Sequence, residues 1–108
     1  EAVAAAFNAA VRRGCYFFDS APTYGRGFAE ESLGHLCRST GQYAVVATKH
    51  FPRPGQDLSA ALLQTAREAA RRLALGGPVD LLQLHRPAEP PISLEAQADA
   101  LAAAVRSG

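Results

Sequence analysis

Three short apolar runs, each closing on an ionisable residue and each followed by a helical stretch, constrain this chain more than any other feature. Cys15-Tyr16-Phe17-Phe18 leads to Asp19, Tyr43-Ala44-Val45-Val46-Ala47-Thr48 to Lys49, and Val79-Asp80-Leu81-Leu82-Gln83-Leu84 to His85. A strand with one wet face alternates apolar and polar residues. These runs barely alternate, which suits strands covered on both faces. Amphipathic segments separate them, and that order predicts an α/β fold: a parallel sheet covered by helices. Crossovers in such sheets are right-handed, so all three strands point the same way.

The helical segments follow from spacing. From Glu1 to Arg13, Val3, Phe7, Ala10 and Val11 form one stripe, and Gly14 suits the position after its end. Glu30 and Glu31 sit in the first turn of a second helix, where they favour its dipole. Leu33, Leu36 and Cys37 form its stripe, and Ser39-Thr40-Gly41 ends it. Gly34 inside that helix costs about 1 kcal/mol against alanine. It either allows close packing on a sheet or is a tolerated defect. Asp57 is the N-cap of a third helix with Leu58, Leu62, Thr65, Ala69 and Leu73 inward. Arg67, Arg71 and Arg72 read as its solvated face, and Gly76-Gly77-Pro78 stops it. Ser93 caps a fourth helix whose stripe is Leu94, Ala98, Leu101 and Val105.

Composition narrows the function classes. The 108 residues are 48% hydrophobic and 19% charged, which describes one small globular domain. Net charge is +1 and no basic cluster exceeds two adjacent arginines, so nucleic acid and anionic membrane are poor partners. No apolar run approaches membrane-spanning length, and the N-terminus carries no signal-peptide pattern. Cys15 and Cys37 are too few for a disulfide scaffold, and no Cys/His pair has zinc-ligand spacing, so no metal is expected. Both read as buried small hydrophobes in a reducing, cytoplasmic compartment. The chain has no methionine, opens within a helical pattern and closes at a helix end. It therefore reads as an internal piece of a longer protein.

Parallel strands place their C-terminal ends on one edge of the sheet, the edge where α/β folds carry their chemistry. Asp19, Lys49 and His85 gather there. Tyr24 follows Asp19 by five positions, on a loop through Ser20-Ala21-Pro22-Thr23 that can return it over the same edge. Singly, each has a plainer reading: Asp19 as a turn cap, Lys49 as a solvated strand end, His85 as a satisfied loop histidine. Together they form a proton-transfer group. Lys49 beside Tyr24 favours the tyrosinate, Asp19 keeps Lys49 charged, and His85 hydrogen-bonds a carbonyl or alcohol oxygen. His35, on a helix, and His50, in a loop, read as structural. Asp80 begins its strand at the opposite edge. Gly25-Arg26-Gly27 lacks the spacing of a dinucleotide or phosphate-binding fingerprint.

With these residues in place, the sequence resembles the aldo-keto reductase family. Phe18-Asp19-Ser20-Ala21-Pro22-Thr23-Tyr24-Gly25 is similar to its strand-end motif, with Ser20 in place of the usual threonine. Glu30-Glu31-Ser32-Leu33-Gly34 is similar to its helix start, with Ala29 where the family has a serine cap. Ala47-Thr48-Lys49 matches its lysine strand, and Val79 to Pro87 its histidine strand. Ala69-Ala70 stands where the family has Ser-Leu before Arg-Leu. The resemblance implies a (β/α)8 TIM barrel, of which residues 1–108 supply about three βα units as the N-terminal portion. It implies an NADP(H)-dependent oxidoreductase that reduces a small-molecule carbonyl substrate, an aldehyde or ketone, without a metal. The catalytic tetrad carries over to Asp19, Tyr24, Lys49 and His85, with Tyr24 as proton donor. Asp19 is the candidate to lie near the nicotinamide. The proline-containing loop after Lys49 is closest to a bacterial, cyanobacterial or plastid branch, so a plastid is the alternative to the cytoplasm. Substrate identity and oligomeric state stay open. A non-catalytic nicotinamide-binding regulatory subunit, or an inactive truncated remnant, is the alternative to an enzyme.

Overall fold

Strands β1 (Phe17–Asp19), β2 (Val45–His50) and β3 (Leu81–Leu84) lie side by side in one parallel sheet of order β1-β2-β3 in the computed structural model, which describes residues 1–108. Phe17 pairs with Val45, and Asp19 with Ala47, which in turn pairs with Leu81; Lys49 pairs with Gln83. Successive side chains of a strand point to opposite faces. Asp19, Lys49 and Gln83 thus share one face with Phe17, Ala47 and Leu81. Phe18, Val46 and Thr48 share the other.

Helices α1 (Ala2–Arg12), α2 (Phe28–Thr40), α3 (Leu58–Leu73) and α4 (Leu94–Arg106) cover the second face. Phe7 of α1 stacks on Phe18, ring centroids 5.1 Å apart. Phe7, Leu33, Cys37, Ala44, Val46 and Leu73 form the main buried cluster, and Leu58, Leu62 and Ala100 a second one beneath α4. Burial also pushes the Cys37 thiol pKa up, against a weaker opposing pull from Arg38. The thiolate is the reactive form. Cys37 is therefore expected to resist a maleimide at neutral pH in the folded protein and to react once urea unfolds it, as peptide mapping would read. Rapid labelling without denaturant would contradict this burial.

Gly34 resolves toward close packing, but its partner is a helix rather than the sheet. A Cβ built there would lie 2.0 Å from the carbonyl oxygen of Leu73. That oxygen closes α3 and also accepts a hydrogen bond from Arg38 Nη1. Residue 34 is the point where α2 and α3 touch backbone to backbone.

Several expectations need correction. Strand β1 is only three residues long and sits at the sheet edge, so Phe17 is half exposed. Cys15 lies before it and is exposed, not buried. His50 is the last residue of β2 rather than a loop residue. It is buried and satisfied, with Nδ1 2.7 Å from Thr65 Oγ1 and Nε2 3.1 Å from Gln56 Oε1. On α4, Leu94 and Val105 are exposed, and the buried side is Gln97 and Ala100. Gln97 accepts from Ala88 N at 2.8 Å and donates to Ala88 O and Ile92 O, tying down the proline-rich loop. A polar residue at the centre of the inner side is invisible to a search for apolar spacing. Arg72 is not solvated: it turns inward and pairs with the buried Glu30.

The face carrying Asp19 and Lys49 has no helix of this chain over it. Leu81 on that face is partly exposed, and β1 and β3 are both free edges. No helix is long and apolar enough to cross a membrane.

Candidate active site

The ladder delivers Asp19 and Lys49 to one rim. Ser20 continues β1 by donating from its backbone N to Ala47 O at 2.9 Å. Ser20 and Ala21 are buried, so the chain turns sharply behind the rim, and Tyr24 N closes that turn on Ala21 O. A 3₁₀ turn, Tyr24–Gly27, follows. Gly25, Arg26 and Gly27 all take left-handed φ, at 61°, 55° and 91°. Two glycines make this reversal possible, and Arg26 is held in a region that costs a side-chain-bearing residue about 1 kcal/mol or more. The reversal keeps Tyr24 beside the rim while the chain leaves into α2.

All four candidate residues converge. Lys49 Nζ donates to Asp19 Oδ1 at 2.7 Å and to Ser20 O at 2.9 Å. The same ammonium stands 5.1 Å from the centroid of the Tyr24 ring. Tyr24 and His85 meet edge to face at 6.1 Å. His85 N donates to His50 O at 2.8 Å, which extends the β2–β3 ladder and fixes the backbone from which the imidazole projects. The Nδ1 of His85 is buried with no hydrogen-bond partner. Phe51 also packs edge to face against the imidazole at 5.5 Å, and the Arg86 guanidinium lies 4.6 Å over the Phe51 ring. His35 is on the exposed side of α2, and Asp80 accepts from Val46 N at 2.8 Å at the far edge, so neither joins the rim.

One rim residue escaped the sequence reading. Gln83 Nε2 donates to Asp19 Oδ1 at 3.1 Å, so the carboxylate is held from two strands. The signal was present: Gln83 is the one polar residue within Leu81–Leu84, and it stands two positions before His85, hence on the same face.

An apolar groove of about 1000 Å³ lies between α1 and α2, lined in part by Val3, Phe7, Ala10, Phe28 and Leu36. It reaches the outer side of Tyr24 but includes none of Asp19, Lys49 or His85. No group of three or more His, Cys, Asp or Glu side chains is arranged to hold a metal ion.

The arrangement has the parts of a proton relay. A phenol is flanked by an ammonium, the ammonium is anchored by a carboxylate, and an imidazole stands beside the phenol. Comparison with known proteins agrees with the fold. The model of the aldo/keto reductase family matches residues 1–108. An aldo-keto reductase from Klebsiella pneumoniae, solved in complex with NADPH, is 27% identical with a TM-score of 0.77, over 97% of this chain and 35% of that one. A thermostable aldo-keto reductase solved with the inhibitor epalrestat is 28% identical with a TM-score of 0.76, over 97% of this chain and 37% of that one. An aldo-keto reductase homologue from Pseudomonas aeruginosa is 28% identical with a TM-score of 0.74, over 98% of this chain and 44% of that one. The chain spans little more than a third of the length of the first two. Its three parallel strands correspond to the N-terminal part of their TIM barrels.

Proposed function

This chain belongs to the aldo/keto reductase family, and from that premise we propose that the full-length protein reduces a small aldehyde or ketone to an alcohol with NADPH. The observation that carries the proposal is the stacking of Lys49 Nζ against Tyr24 while Asp19 holds the ammonium in place. NADPH, when bound, supplies the hydride. Every proton step falls to residues of this chain.

Tyr24 gives its phenolic proton to the carbonyl oxygen as negative charge develops there. Lys49 lowers the cost of that transfer, because an ammonium close to the ring stabilises the tyrosinate left behind. Asp19 and Ser20 O hold Lys49 by charge-assisted hydrogen bonds, so the ammonium does not swing toward solvent. His85 orients the carbonyl oxygen beside Tyr24. Its edge contacts with Tyr24 and Phe51 support that role, because they hold the ring beside the phenol. An open rim supports a place for the cofactor: the Asp19 side chain is half exposed, on a face that no helix of this chain covers. Asp19 is the residue here that would lie beside the nicotinamide.

The test is turnover by the full-length protein of a panel of small aldehydes and ketones, followed by loss of NADPH absorbance. Alcohol is expected to form in step with NADPH consumed. Binding of NADPH with no turnover on any carbonyl would replace this reading with a non-catalytic nicotinamide-binding subunit. Lys49→Met, which keeps the apolar stem and removes the charge, is expected to lower kcat by about a hundredfold. A kcat within twofold of wild type would remove Lys49 from the relay.

A further inference from the structure

The buried side of the sheet, opposite the rim, carries a charged network with no part in the proton steps above. Glu30, on the first turn of α2, is completely buried. Its Oε1 accepts a hydrogen bond from Thr48 Oγ1, which is also completely buried. Its Oε2 accepts from Arg72 Nε of α3 at 2.6 Å, and the Arg72 side chain is only 12% exposed. Glu68 lies 3.8 Å from Arg72 Nη1, while Arg72 Nη2 is buried with no partner. A buried carboxylate this isolated from water is costly unless paired, and a nonpolar packing of the same volume serves stability equally well. Stability alone therefore does not explain the network.

Its connections suggest what does. Thr48 immediately precedes Lys49 and points to the opposite face, so holding the Thr48 side chain fixes the height of Lys49 on the rim. Glu30 stands three residues after Gly27, the end of the turn that begins at Tyr24. Arg72 touches that turn directly: a Cβ built on Gly27 would meet Arg72 Cδ at 2.8 Å and Nε at 3.1 Å. One guanidinium and one carboxylate thus bind the Tyr24 turn and the Lys49 strand to each other from behind.

We propose that Thr48, Glu30 and Arg72 are positioning residues that set the placement of Tyr24 against Lys49. This rests on the reading that Tyr24 and Lys49 act together in proton transfer. The network lies behind the rim, with Glu30 and Thr48 completely buried on the opposite face of the sheet. Its effect is geometric, and catalytic geometry is steep: a displacement of about 1 Å can cost a hundredfold in rate.

Thr48→Val tests this in the full-length protein, because valine keeps the shape and removes only the donor to Glu30; Thr48→Ser keeps the donor. Two readouts are needed. For Thr48→Val, kcat per folded molecule is expected to fall about tenfold while the Kd for NADPH stays within twofold. Thr48→Ser is expected to restore kcat to within twofold of wild type. Amide hydrogen exchange over residues 24–30 is expected to accelerate about tenfold in Thr48→Val, with residues 94–106 unchanged. Unchanged exchange over 24–30 overturns the linkage, whether or not the protein turns over. Faster exchange with unchanged kcat overturns the positioning role and leaves a purely structural network. Absence of turnover in the wild type defeats the reductase reading instead, and exchange alone then decides the linkage. If Thr48→Val does not fold, Arg72→Lys answers through the same two readouts: it keeps a cation for Glu30 and is expected to lower kcat with NADPH affinity retained.

Discussion

Tyr24→Phe in the full-length protein is expected to lower kcat for carbonyl reduction by about a hundredfold to ten-thousandfold, the range a positioned general acid supplies. The expectation is specific because phenylalanine keeps everything at the site except the hydroxyl. The ring that Lys49 stands against, at 5.1 Å, remains, and so does the edge-to-face contact with His85 at 6.1 Å. The Asp19–Lys49 pair, at 2.7 Å, does not involve the phenol oxygen. NADPH affinity is accordingly expected to stay within about twofold, since no effect enters its binding beyond loss of one hydroxyl. Single-turnover kinetics under saturating NADPH separates the outcomes. A large loss in the chemical step with unchanged binding supports Tyr24 as the donor. Near-normal turnover would pass the proton to another group, the Lys49 ammonium or the His85 imidazole.

Gly34→Ala is the second large effect, and two principles disagree about its sign. Helix propensity alone favours alanine at a mid-helix glycine by about 1 kcal/mol. Packing opposes it: the new Cβ would sit 2.0 Å from Leu73 O and within 2.8 Å of the Leu73 C and Cα atoms. These are backbone atoms, so no rotamer change relieves the overlap, and one helix must move. Forcing an extra methyl into a packed interior costs about 1–3 kcal/mol and more where the neighbours cannot yield. Net destabilisation of about 2 kcal/mol or more is expected, visible as a lowered urea midpoint with the m-value unchanged. A raised midpoint would mean that α2 and α3 have slack to separate. The movement would also disturb Arg72, one residue before Leu73, so a loss of kcat beyond the loss of folded protein is expected in the same variant.

Much of this molecule is legible in its sequence. The three strands were readable because buried parallel strands lose their polar alternation, and all three are found near their expected places. The order Asp19, Lys49, His85 at successive strand ends located the rim, because parallel strands share one C-terminal edge. Tyr24 was readable from its distance to Asp19 and from the proline and glycine around it.

What stayed hidden has a common cause. Arg72 on a helix with Arg67 and Arg71 looks like one more solvated cation, and only Arg72 turns inward to Glu30. Glu30 beside Glu31 looks like a first-turn acid, and its burial depends on α3 arriving over it. Gln97 holds the centre of the buried side of α4 because its amide meets the backbone of Ala88 and Ile92.

Local sequence determined the elements, their order and the chemistry placed at the strand ends, because hydrophobic periodicity and turn residues act within a few positions. The tertiary structure alone decided which charges are buried, which helix Gly34 touches and how Tyr24 is tied to Lys49. Those contacts join residues 18 to 42 positions apart, and pairing at such separation is set by how helices settle on the sheet.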